Sequence, residues 1–143
     1  MDFHFAAAWE VVADKFPNRI ATISDDKPLS WQEFEHRASC LASLLEEYGL
    51  GPDSKAGLYL HNCSEYQEAQ FGIFKVGGCP INVNYRYKSD ELVYLLDNSD
   101  AEAVFFQSCY AMRIWEIRER LPKVKLFVQI DDGTESLLKG AVD

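Results

Sequence analysis

Apolar positions recur along this chain at helical spacing first, then in short runs that alternate with helical stretches. Phe5, Trp9, Val12 and Phe16 stand at i, i+4, i+7 and i+11, one face of an amphipathic helix that Pro17 ends. Residues 20–24 (IATIS) and 28–31 (PLSW) flank Asp25-Asp26-Lys27, a turn signal that predicts a small hairpin. Ser30 precedes Glu33 by three, the spacing of a capping box in which each side chain satisfies the other residue's free N–H. The helix that follows carries Phe34, Ala38, Leu41, Leu45 and Tyr48 on one stripe and ends at Gly49 and Pro52.

From there strands and helices alternate. AGLYL (56–60) reads as a buried strand, and Ser64 with Gln67 repeats the capping-box pattern ahead of a helix with Tyr66, Ala69, Ile73 and Val76 on one side. PINVN (80–84) is the next strand, and Ser89-Asp90-Glu91 opens a helix with a cap and two acids favoured by the helix dipole. AEAVFF (102–106) is a third strand, Ser108 is placed to cap a helix holding Met112, Trp115 and Ile117, and VKLFVQI (124–130) is a fourth strand. The tail 131–143 is polar, then weakly helical. Strands joined by helices of this length imply right-handed crossovers. The expected fold is α/β, a mostly parallel sheet with helices on both faces plus an N-terminal hairpin. No repeat or low-complexity linker divides it, so 1–143 reads as one unit, long enough to bury a core.

Composition narrows the function classes. A net charge of −9 argues against nucleic-acid binding, which needs a basic surface, and against a polybasic membrane anchor. There is no signal-peptide pattern and no apolar run long enough to span a bilayer. Cys40, Cys63, Cys79 and Cys109 form no CxxC and have no histidine at ligand spacing, which disfavours zinc and suits a reduced intracellular setting. Cys40 and Cys79 lie in apolar contexts, where cysteine behaves as a small buried hydrophobe.

The candidate chemistry is mostly structural on inspection. Gly72 and Gly77 have the spacing of a phosphate loop, but Gly78 stands where its lysine should be and Cys79 where its hydroxyl residue should be. The element order is also reversed, since a helix runs into these glycines and a strand leaves them. A helix C-cap explains Gly77-Gly78 better. His4 falls at a frayed terminus and His36 on a polar helix side; His61, at a strand end, is the most interesting because α/β sheets bind ligands there. Asp25-Asp26 and Asp131-Asp132 are misplaced for a phospho-receiver. Tyr85-Arg86-Tyr87-Lys88 could hold a base or phosphate, but such a knot reads more simply as a loop whose arginine bonds carbonyls and whose tyrosines cover the core edge. No catalytic, cofactor-binding or metal-ligating residue is assigned.

Two longer elements carry a resemblance. LSWQEF (29–34) and FKVGGCPINVNYRY (74–87), in order with FPNRIATIS, EEYGLGPDSKAGLYLHNCSEY and SDELVYLLDNSDAEAVFF, resemble the N-terminal portion of the ATP-dependent adenylate-forming enzymes, the AMP-binding superfamily. The stretch INVNYRYKSDELVYLLDNSD is most similar to the fatty-acyl-CoA synthetase branch, including members for bulky or steroid-derived acids. The resemblance implies a parent enzyme that uses ATP, Mg2+ and coenzyme A to convert a carboxylate into an acyl-adenylate and then an acyl-CoA. It implies a cytoplasmic protein or one peripheral to a membrane. The family's phosphate loop ending in Pro-Lys, its later Thr-Glu, its ribose-binding Asp and its mobile lysine have no counterparts here. This chain is therefore expected to be scaffold, inactive alone and without tight cofactor binding, with the remainder of the ligase as its partner. The alternatives are a stand-alone interaction module derived from the fold and a flavodoxin-like nucleotide binder. Truncation would expose apolar surface around Phe105, Phe106, Phe127 and Val128 and favour a homo-oligomer.

Overall fold

A computed structural model describes residues 4–143. The elements are α1 (Phe5–Lys15), β1 (Ile20–Ser24), β2 (Lys27–Ser30), α2 (Trp31–Glu47), β3 (Lys55–Tyr59), α3 (Ser64–Lys75), β4 (Cys79–Asn82), α4 (Ser89–Asn98), β5 (Ala101–Gln107), α5 (Ala111–Ile117) and β6 (Leu126–Ile130). The class is the expected α/β, with a four-stranded sheet in the order β4-β3-β5-β6, flanking helices, and a separate antiparallel hairpin. The chain gathers into two compact units, residues up to Asp53 with Asn62–Cys79, and Ser54–His61 with Pro80–Asp143.

The first unit is helical. Its α1 buries Ala6 and Ala13 with Trp9 partly covered, while Phe5 and Phe16 are 64% and 44% exposed, so the inward face is rotated from the aromatic one read in the sequence. Alanines let α1 come close, and the Trp9 ring then sits 5.9 Å from Phe34 and 5.1 Å from Phe71. In the hairpin Asp25 and Asp26 both have positive φ (48° and 61°), the two-residue turn whose twist matches its strands. Ser30 and Glu33 form the expected capping box: the Ser30 N–H donates to Glu33 Oε2 (2.9 Å) and the Glu33 N–H to Ser30 Oγ (3.2 Å). These bonds hold the Glu33 carboxyl below its ordinary value and satisfy two N–H groups that the helix start would otherwise leave free.

Both long helices of this unit stop on a left-handed glycine. For α3, Gly77 N–H donates to Phe74 O (3.0 Å) and Gly78 N–H to Ile73 O (2.9 Å) with Gly77 at φ 75°. For α2, Gly49 and Leu50 make the same pair of bonds to Glu46 and Leu45, both 2.9 Å. Two further expectations change. Ser64 is the first helical residue of α3 and not its cap, so its hydroxyl donates to the Glu65 carboxylate (3.2 Å) and the cap position falls to Cys63. Cys40 lies off the apolar stripe of α2 and Cys79 opens β4; both are exposed, and none of the four cysteines is in a disulfide.

The second unit holds the parallel sheet. β5 runs parallel to β3 and to β6, with Tyr59 opposite Phe106 and Gln107 opposite Ile130. Alternate residues of β5 point to opposite faces and both sets are buried, which is why the strand reads as an unbroken apolar run. One face, with Tyr59, Val104 and Phe106, packs on Leu92 and Leu96 of α4 and Ile114 and Ile117 of α5. At Gly57 a Cβ would come within 2.6 Å of Leu96 Cδ2, so a larger residue would have to displace the buried Leu96 side chain. Phe105, Phe106 and Val128 are at most 4% exposed and Phe127 is half-buried, contrary to the expected exposed patch. Among the described residues no helix is long and apolar enough to cross a membrane.

Local polar expectations shift here too. Lys88 occupies the cap of α4, its N–H held by Glu91 Oε2 (2.8 Å), and Ser89 lies inside the helix. Ser108 begins a short 3-10 turn ahead of α5, and its buried hydroxyl donates to Ile130 O (3.1 Å) instead of capping a helix. The tail is not helical. Val142 bridges to β6 in parallel, accepting from Gln129 N–H (2.8 Å) and donating to Phe127 O (2.9 Å), and the Gln129 amide fixes Ser136 and Leu138.

Candidate functional site

Parallel strands finish on one edge, and open α/β sheets bind ligands beyond their carboxyl ends. In the second unit this edge gathers His61 after β3, the loop 84–88 after β4, Gln107 at the end of β5 with Ser108 to Tyr110 after it, and Asp131-Asp132 after β6. His61 is bound to it twice: its N–H donates to Gln107 Oε1 (2.8 Å), and its Nε2 lies 2.6 Å from the Tyr110 hydroxyl. The Tyr85 ring meets the imidazole edge-on at 4.5 Å, and Tyr110 stacks on Tyr59 at 4.4 Å.

The loop is held from below. Tyr59 donates its hydroxyl to Tyr87 O (3.0 Å), and Arg113 of α5 donates to that carbonyl (2.8 Å) and to the Tyr59 hydroxyl. Burial raises the Tyr59 pKa, against the pull of Arg113, and burial takes Tyr110 to about 12, so both phenols stay protonated at neutral pH. Asn84 Oδ1 accepts the Arg86 N–H (3.0 Å) to close the turn. Among the described residues the Arg86 guanidinium meets no carbonyl; it lies over the Tyr85 ring at 5.6 Å, and the arginine that bonds a carbonyl of this loop is Arg113.

On the β6 side, Asp132 accepts the Cys109 N–H (3.0 Å) and the Thr134 N–H (3.1 Å), and Thr134 also donates its hydroxyl. These donors outweigh burial and keep the Asp132 carboxyl below its ordinary value. Burial, then the nearby Asp132 carboxylate, pushes the Cys109 thiol to about 11. A thiol this basic is a poor nucleophile at neutral pH. Ser108 Oγ, committed to Ile130 O, has no base beside it. Among the described residues no group of three or more His, Cys, Asp or Glu side chains could hold a metal ion. A hollow of about 150 Å3 beside Ser108, Gln129 and Asp131 is smaller than sites that enclose a nucleotide.

The other singled-out residues lie away from this edge. His4 caps α1, its Nδ1 accepting the Ala7 N–H (3.4 Å), and His36 is exposed on α2 beside Cys40 Sγ (3.8 Å). The amides of Gly77 and Gly78 both point back to helix carbonyls, so they do not fit a bound triphosphate. Arg113, Tyr59 and Tyr110 were not anticipated. They lie far apart in sequence, and only the meeting of strand ends brings them together.

Comparison with known proteins identifies the family of the chain. The family model for AMP-binding enzymes matches residues 9–141. A 3-oxocholest-4-en-26-oate–CoA ligase of Rhodococcus rhodochrous is 37% identical over 94% of this chain and 24% of its own length. A medium/long-chain-fatty-acid–CoA/3-oxocholest-4-en-26-oate–CoA ligase of Mycobacterium marinum is 39% identical over 88% of this chain and 23% of its own. The N-terminal domain of FACL13 from Mycobacterium tuberculosis shares the fold, with a TM-score of 0.83 at 20% identity over 90% of this chain and 34% of that one. The chain spans about a quarter of the length of the curated relatives it matches. With nearly all of its residues inside the family match, the chain belongs to the AMP-binding enzyme family.

Proposed function

We propose that this chain is the N-terminal portion of an acyl-CoA synthetase whose substrate is a fatty or bulky, steroid-like carboxylic acid. The observation that carries this is 37–39% identity to CoA ligases across nearly the whole chain, over about a quarter of their length. The parent uses ATP with Mg2+ to activate the carboxylate and coenzyme A to accept the acyl group. No step of that chemistry is routed through residues of this chain. The amides of Gly77 and Gly78 are spent on a helix end, the Ser108 and Tyr59 hydroxyls are bonded to backbone carbonyls, the Tyr110 hydroxyl is bonded to His61, and the Cys109 thiol is held protonated.

The chain's part is scaffold: both compact units contribute to one large ligase domain, and the strand edge supports ground on which residues from elsewhere in the parent work. The four cysteines, all thiols, favour a cytoplasmic setting. The experiment mixes the purified chain with ATP, Mg2+, fatty or steroid acids and coenzyme A and measures pyrophosphate. We expect none above background, and sustained turnover by the chain alone would overturn the scaffold reading. Reading the coding sequence past Asp143 tests the parentage. A serine/threonine/glycine-rich loop ending in Pro-Lys supports a ligase, whereas an immediate stop codon replaces it with a stand-alone module.

A further inference from the structure

We infer that Arg113 is a positioning residue for the 84–88 loop: it sets how the loop presents Tyr85 and Arg86 at the carboxyl ends of the strands. This inference deepens the ligase reading and, for its kinetic part, rests on it. The side chain of Arg113 is half-buried, and it donates both to Tyr87 O (2.8 Å) and to the hydroxyl that itself donates to Tyr87 O. One loop carbonyl is thus gripped by two donors anchored on different elements, α5 and β3.

The grip continues around the edge as a closed circuit. Tyr59 stacks on Tyr110, Tyr110 meets His61 Nε2, and the His61 imidazole meets the Tyr85 ring, which returns to the loop. The guanidinium of Arg113 also lies 5.9 Å from the Tyr110 ring centre. Every link is a hydrogen bond or a ring contact, and the exposed Tyr85 and Arg86 of the loop sit at the end of it. Arg113 meets no carboxylate in this circuit, and its two bonds converge on the point where the loop turns back toward α4. Tyr59, with a hydroxyl that burial keeps protonated, remains a donor to the carbonyl, so the grip persists through the neutral range.

The test uses three variants. Arg113→Met removes both donors, Arg113→Lys keeps a cation with a single donor head, and Tyr59→Phe keeps the ring stacked on Tyr110 but deletes the hydroxyl. In the 143-residue chain, 15N-resolved NMR should show amide shifts concentrated at 84–88 and at His61 for Arg113→Met, a smaller version for Tyr59→Phe, and partial return for Arg113→Lys. Unchanged 84–88 resonances in a folded Arg113→Met chain overturn the inference. Should that variant fail to fold, Tyr59→Phe decides it by the same criterion. In the complete ligase, Arg113→Met should raise the KM of at least one substrate about threefold or more while kcat stays within about twofold, as expected of misplacement remote from the reacting atoms. An equal fall in kcat with no KM change overturns the positioning role. If the wild-type protein forms no acyl-CoA at all, the functional reading fails, while the NMR result still judges the loop.

Discussion

In the helical unit, packing is finished by rings and by charged ties between helices; in the sheet unit it is finished by a hydrogen-bonded ladder buried on both faces. Around Phe34 and Phe71, Trp9 and Trp31 close an aromatic cluster. Beside it Lys75 reaches from α3 to Glu10 of α1 (2.5 Å) and Glu35 of α2 (2.7 Å), and Arg37 pairs with Glu68 (2.9 Å). The sheet unit keeps its ion pairs at the surface, as with Lys123 between Asp97 and Asp100, and fills its interior with Tyr59, Val104, Phe106, Leu92 and Leu96. Helices joined by side chains can shift to heal a defect, whereas strands fixed by a ladder cannot. The same deletion should therefore cost more in the sheet.

The sharpest test compares two fully buried phenylalanines. Phe106→Ala should cost about 3–5 kcal/mol, near the top of the range for aromatic truncation, because β5 is held on both sides and cannot close the cavity. Phe71→Ala should fall at the lower end, since α1 and α2 can settle onto the gap. Urea midpoints of the two variants measure this, and equal costs would break the comparison.

Charged ties come next. Lys75→Met should cost about 1–3 kcal/mol, because it removes two charge-assisted bonds made by a side chain only 11% exposed. Burial disfavours the Lys75 charge, yet its bonds to Glu10 and Glu35 outweigh that and raise its pKa. The counterpart in the sheet unit, Lys123→Met, should cost much less, because that lysine is 45% exposed and its pairs are solvated. Added salt should shrink the Lys123 effect further and leave most of the Lys75 effect.

Helix stops sharpen the contrast at smaller scale. The helical unit uses glycine, Gly49 and Gly77, where the sheet unit ends α4 on Asp100 at φ 55°. Gly77→Ala should cost about 1–2 kcal/mol, since its Cβ would also stand 3.3 Å from the Pro52 Cα; Gly49→Ala, with open space around it, should cost about 1 kcal/mol. Asp100→Gly should come out near neutral, the relieved backbone offsetting the lost contact to Lys123 (2.8 Å). Thermal or urea unfolding of the three variants gives the ranking, and a costly Asp100→Gly would show that the Lys123 contact outweighs the backbone relief.

How far these features could be read in advance follows the distance over which each is decided. The Ser30–Glu33 box, the Asp25-Asp26 turn and the stop at Gly77 are settled within a few residues, and the sequence shows them. The apolar run of β5 is also legible, because burial on both faces leaves no alternation to misread. Caps at Ser64 and Ser108 look the same in sequence but fail, since packing moved the helix start by one residue in α3 and turned Ser108 inward to Ile130. The inward face of α1 was legible in part: Trp9 packs inward as its spacing predicts, but Ala6 and Ala13 carry the buried side while Phe5 and Phe16 stay exposed. At the strand edge His61 could be singled out by position. Arg113 could not, because its partners Tyr59 and Tyr87 are brought to it only by the parallel order of the sheet.

The smallest effect concerns the carboxylate that the helical unit buries. Burial raises the pKa of Glu68 in spite of Arg37, and its Oε1 is buried without a partner. A carboxyl raised in the folded state binds more protons there than in the unfolded chain. Its contribution is therefore most favourable below the ordinary carboxylate value and declines as pH rises through the raised one. Glu35, lowered chiefly by its hydrogen bond to Lys75, behaves oppositely: its contribution is present above the ordinary value and is lost as pH falls. Glu68→Gln removes the first of these and leaves the second. Relative to wild type, the variant should gain stability as pH rises above the ordinary carboxylate value, because the charge that burial penalises is no longer formed there. Arg37, half-exposed, can turn to water, so losing its ionic partner should not cancel the gain. Urea midpoints of both proteins across that range decide it. A difference that stays constant with pH would mean that the Glu68 carboxylate titrates alike in the folded and unfolded chain, and that the helical unit carries its buried charge without penalty.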